Sequence, residues 1–97
     1  MSFDEDTVQK VWGKGRAVSG NDPNRWRKDD CNAWIGREEY GNRDSQYGWE
    51  IDHIDPDGGD DSINLRPLQW ENNVAKGESK DLKCAVTSSG TENVKIS

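Results

Sequence analysis

His53 is the only histidine in the chain, and no other side chain type changes charge near neutral pH without help from its surroundings. It follows Asp52 and precedes a glycine-rich acidic loop, Asp55-Pro56-Asp57-Gly58-Gly59-Asp60-Asp61. Asn64-Leu65 come next, and Asn73 and Lys76 follow further on. A neutral imidazole can take a proton from water. A carboxylate and an amide oxygen together suit one hard divalent cation that keeps several waters and completes its shell with a substrate phosphate. Combined, these groups allow metal-assisted hydrolysis of a phosphodiester.

Such chemistry needs elements that bring the groups together. Residues 47–54 read as a strand with Trp49, Ile51 and His53 on one face and Glu50, Asp52 and Ile54 on the other, ended by Pro56. Residues 63–70 read as a short, Pro-interrupted return strand, and 70–76 as a two-turn helix stopped by Gly77. If the helix folds back over the strands, the Asp52 carboxylate and the Asn73 amide converge beside the imidazole, with Lys76 one turn along the same helix face. Because neighbouring strand residues face opposite ways, Asp52 and His53 can serve one centre only where the strand ends or bends.

The rest of the chain bounds what can surround this stretch. Ninety-seven residues predict a single domain over 1–97, with its core motif at 47–77 and a hairpin or loose tail at 78–97. Only 30% of residues are hydrophobic, so the five tryptophans are the expected core. Residues 4–12 read as a capped helix with Val8, Val11 and Trp12 on one side, and Cys31-Asn32-Ala33-Trp34-Ile35 as a strand. Arg25-Trp26-Arg27-Lys28 is read as a solvated basic surface with Trp26 turned into the core rather than as a DNA-stacking platform. Cys31 and Cys84 form no CxxC pair, so no structural zinc is expected. The default is two free thiols in a soluble cytoplasmic protein with no membrane segment, and a disulfide would need Cα atoms within roughly 7 Å.

The motif residues resemble the HNH endonuclease family. The match runs Asp52-His53, Pro56, Gly58-Gly59, Asn64-Leu65, then Asn73 with Lys76 three residues on, and corresponds to the HNN variant of the ββα-metal motif. Trp26-Arg27-Lys28-Asp29, Trp34-Ile35 and Tyr47-Gly48-Trp49 add to the likeness, which covers about the middle half of the chain. The resemblance implies an α+β fold: a small HNH-like ββα-metal core with an N-terminal helix and a C-terminal hairpin. It implies that His53 is the general base, that Asn64 holds the loop and the His53 backbone, and that Asp52 and Asn73 bind one divalent ion, Mg²⁺ first, with Mn²⁺ or Zn²⁺ as substitutes. Lys76, Arg27 and Arg37 are the expected substrate contacts, and DNA the expected partner. For Lys76 the plainer reading is a helix C-terminal charge favoured by the macrodipole.

Net charge argues the other way. At −6 the chain lacks the overall basicity of a phosphate binder, and the carboxylates after His53 would repel DNA. An inactive HNH-like module that binds nucleic acid or protein, or an acidic partner of a basic protein, is the alternative expectation.

Overall fold

The computed structural model describes residues 3–96 as an α+β protein of two helices and three separate two-stranded antiparallel sheets. Helix α1, Glu5–Trp12, starts where the Asp4 side chain accepts a hydrogen bond from the Thr7 N–H at 2.8 Å and ends at Gly13. Its buried face is Val8, Val11 and Trp12, as the spacing predicts. These three pack with Ile35, Trp49 and Leu65 in the central cluster. The Trp12 and Trp49 rings lie 5.3 Å apart, and Tyr40 meets Trp49 at 4.9 Å. Of the five tryptophans, Trp12 and Trp49 are fully enclosed and Trp34 is buried, while Trp26 and Trp70 are only half-buried.

Strands β1, Trp26–Lys28, and β2, Trp34–Gly36, pair with Lys28 opposite Trp34. This corrects two expectations. Trp26 in the basic patch is half-buried rather than in the core, and the strand expected from Cys31 begins only at Trp34. Asp29 is the reason: its Oδ1 accepts hydrogen bonds from the Cys31 and Ala33 N–H groups, turning the chain so that Asn32 adopts φ 63°.

The motif stretch forms as expected. Strand β3, Trp49–His53, pairs with β4, Leu65–Gln69, with Trp49 opposite Gln69 and His53 opposite Leu65. Pro67 is tolerated in β4 because a two-stranded sheet leaves its outer edge without ladder partners. Helix α2, Trp70–Lys76, is capped by the Gln69 side chain and closed by Gly77 at φ 56°. Strands β5, Val86–Ser89, and β6, Glu92–Lys95, make the C-terminal hairpin around Gly90.

Cys31 and Cys84 are joined in a disulfide with Cα atoms 5.5 Å apart, which corrects the expectation of two free thiols. The pair is 53 residues apart in sequence and ties the β1–β2 turn to the segment before β5. Asp29 and Asn72 reinforce this junction. The second oxygen of Asp29 accepts from the Gln69 N–H at 2.8 Å and the Asn72 Nδ2 at 3.1 Å. Asn72 also accepts from the Ala85 and Val86 N–H groups and donates to Val86 O. Among the described residues no helix is long and apolar enough to cross a membrane.

Candidate functional site

β3 ends at His53, and there Ile51, Asp52, His53, Pro56, Asn73, Lys76, Gly77 and Glu78 surround one cavity of about 280 Å³. Asp52, His53, Asn73 and Lys76 therefore meet although they come from a strand end and a helix.

His53 is half-buried, and its Nε2 lies 2.6 Å from Asp60 Oδ1. Donation from Nε2–H to that carboxylate leaves Nδ1 as the basic nitrogen. Sequence alone gives Asp60 no role beyond a solvated turn. The available signal is its place across the glycine pair from His53, where a tight loop returns a carboxylate to the strand end.

Asn64 holds that loop. Its Oδ1 accepts from the Asp55 N–H at 3.0 Å, and its Nδ2 donates to Asp55 O and Gly59 O, both at 3.0 Å. Its carbonyl accepts from the Ile54 N–H at 2.8 Å, next to His53. A side chain at Gly58 would place Cβ 2.6 Å from Asn64 Nδ2, so the glycine makes room for this staple. Asn64 thus acts on the loop, not through an exposed reactive atom.

Asp52 is 4% exposed and its two oxygens are both engaged. Lys76 Nζ stands 3.1 Å from Oδ1, and Arg66 Nε donates to Oδ2 at 2.9 Å. Lys76 is also buried and donates to His53 O at 2.9 Å. Its ammonium is turned inward against the strand end, so it is neither a solvated helix charge nor a free phosphate contact. Arg66 reaches Asp30 as well, at 3.3 Å.

Asn73 donates from Nδ2 to Glu50 Oε1 at 2.9 Å, which leaves its amide oxygen for a ligand. Glu50 is also held by Arg43 through two hydrogen bonds of 2.6 and 2.9 Å. Burial pushes the Glu50 carboxyl up, but the hydrogen bonds from Arg43 and Asn73 and the Arg43 charge outweigh it and leave the group below its ordinary value.

Arg27 and Arg37, expected at the substrate, are committed elsewhere. Arg27 donates to the carbonyls of Pro23, Gly13 and Gly15 and lies over the Trp12 ring. Arg37 binds Gln9 and Glu5, tying α1 to the end of β2. Neither lines the His53 cavity.

A divalent ion fits this donor set in kind: one carboxylate and one amide oxygen on a shared cavity suit a hard cation that retains most of its waters. Among the described residues no three His, Cys, Asp or Glu side chains cluster as a metal cage.

No protein-family model, curated protein or solved structure matches the chain.

Proposed function

We propose that the protein is a metal-dependent endonuclease that hydrolyses phosphodiester bonds in DNA, built on an HNH-like ββα core within residues 47–77. The observation that carries this reading is the meeting of Asp52, His53, Asn73 and Lys76 on one cavity at the end of β3.

In this reading His53 Nδ1 takes the proton from an attacking water. Asp60 keeps the required tautomer and offsets the charge the imidazole gains. Asn64 keeps Asp60 opposite the ring by holding the loop closed. Asp52 and Asn73 would hold one divalent ion, Mg²⁺ first and Mn²⁺ or Zn²⁺ as substitutes, which supplies charge stabilisation at the phosphoryl and leaving oxygens. Lys76 adds a second positive charge beside the cavity. A cytoplasmic location belongs to the same reading and requires the fold to tolerate a reduced Cys31–Cys84 pair.

Nicking of supercoiled plasmid by purified protein tests it. Cleavage is expected with Mg²⁺ or Mn²⁺, and His53→Ala is expected to lower it by about 100-fold or more. Unchanged cleavage in that variant removes His53 from the mechanism.

The occupancy of Asp52 by two cations favours a second reading, a module of the same shape that binds nucleic acid or protein without cutting. In that case a metal titration followed by NMR shows no selective shifts at Asp52, His53 and Asn73, and no metal supports cleavage.

A further inference from the structure

A second cavity of about 280 Å³ lies away from His53, lined by Asn21, Trp26, Trp34, Tyr47 and Thr91. Three of its five walls are aromatic. Trp26 and Tyr47 meet edge to face with ring centres 5.0 Å apart. The polar atoms of two rings are already satisfied: Trp34 Nε1 donates to Gly90 O and Tyr47 Oη to Thr91 O, both at 2.7 Å. What these rings offer a ligand is therefore their faces and edges, not their polar groups. Asn21 and Thr91 provide the hydrogen-bonding margin.

Charge selects among flat ligands. No carboxylate lines the cleft, and Lys28 Nζ sits 4.6 Å from the centre of the Trp34 ring. A cationic ligand would compete with that ammonium and find no counter-charge. Arg25 borders an adjoining depression that shares Trp26. Unlike Arg37, neither Arg25 nor Lys28 forms an ion pair among the described residues. Glu38 and Glu39 also border that depression, so Lys28, over the Trp34 ring, is the cation left without a carboxylate neighbour for a phosphate. An aromatic slot with no carboxylate in its lining and an unpaired lysine over one of its rings matches a heterocycle attached to phosphate, against the chain's overall charge of −6.

We infer that this cleft stacks one base of a single-stranded nucleic acid segment. The inference rests on the nucleic-acid half of the proposed function, not on cleavage. Tyr47 and His53 are six positions apart in the chain, a Cα span of at most roughly 22 Å. A strand with one phosphate at His53 can therefore place a base in the cleft several nucleotides away.

The test uses full-length His53→Ala protein in EDTA, with a fluorescent oligothymidylate and an abasic strand of equal length as probes. Stacking predicts that the abasic strand binds about 5- to 150-fold more weakly. It also predicts that Trp26→Leu and Tyr47→Leu abolish this difference. Lys28→Glu, a change on a half-exposed side chain, guards against misfolding of the aromatic variants. It is expected to lower the slope of log affinity against log salt by about 0.7 for each phosphate that the ammonium no longer neutralises. Equal binding of both strands, no binding of either, or no effect of any of the three substitutions overturns the inference. Plasmid nicking by the otherwise wild-type chain with Mg²⁺ is measured alongside. Nicking without base-dependent binding sinks the stacking site alone, and base-dependent binding without nicking sinks the endonuclease alone.

Discussion

Asp29 and Asp52 are buried to the same degree, each 4% exposed, yet they are satisfied in opposite ways. Asp29 accepts four hydrogen bonds from neutral N–H groups, three on the backbone and one on Asn72, and pairs with no cation among the described residues. Asp52 is held by the ends of two cationic side chains. The donors to Asp29 cannot leave without undoing the β1–β2 turn or the start of α2. Lys76, by contrast, reaches Asp52 from the tip of a long side chain, and the proposed endonuclease requires a divalent ion to compete with it there. One carboxylate is a joint; the other is, under that proposal, an exchangeable position.

The sharpest way to break this contrast is Asp29→Asn, which turns one acceptor into a donor facing other donors. The expected loss is about 3 kcal/mol or more in urea unfolding, and a variant as stable as wild type would refute the joint. Burial holds the Asp29 carboxyl above its ordinary 3.8, only partly offset by its hydrogen bonds. The native state then keeps this proton to higher pH than the unfolded chain, so the stability it contributes is complete below about 3.8 and lost as pH rises through the raised value. Carbon-13 titration of the Asp29 carboxyl checks the direction, and Glu50 should move the other way, its stabilising share vanishing as pH falls below 4.5.

Replacing Cys31 and Cys84 by serine asks whether the joint stands without its covalent neighbour. A loss of about 2–4 kcal/mol is expected, with the fold and the Asp29 hydrogen bonds retained by NMR. A smaller effect is expected of Lys76→Met. Asp52 keeps Arg66, so the cost is about 1–3 kcal/mol, and Mg²⁺ should raise the melting temperature of this variant more than that of wild type. An unchanged response to Mg²⁺ would mean that Lys76 does not compete for the position. Smallest of all is Arg43→Ala, expected to leave the urea-unfolding midpoint close to that of wild type, because the Arg43 side chain is more than half exposed.

The contrast also explains what can be read from the sequence. Helix α1, the β3–β4 pair, α2 and the C-terminal hairpin follow from local signals: the Asp4 cap, alternation before Pro56, Gly77 and Gly90. So does the loop role of Asn64. The three-residue β1 has no alternation long enough to see, and its register comes from Trp34–Gly36 across the turn. The Asp29 network is equally hidden, since Gln69 and Asn72 lie 40 and 43 residues away. At the candidate site the positions of Asp52, His53 and Asn73 are legible as a motif. The inward turn of Lys76, the Asp60 partner, and the diversion of Arg27 and Arg37 depend on backbone carbonyls and carboxylates that only the folded chain brings near.

Asn93 has a consequence for how the protein avoids its own kind. Its carboxamide accepts from the Trp34 N–H at 2.7 Å and donates to Trp34 O at 2.9 Å, copying with a side chain the two bonds that a neighbouring strand would make. The outer edge of β2 is thereby blocked against pairing with a second molecule. Any truncation upstream of β6 removes this guard and leaves a tryptophan-bearing strand edge open to self-association.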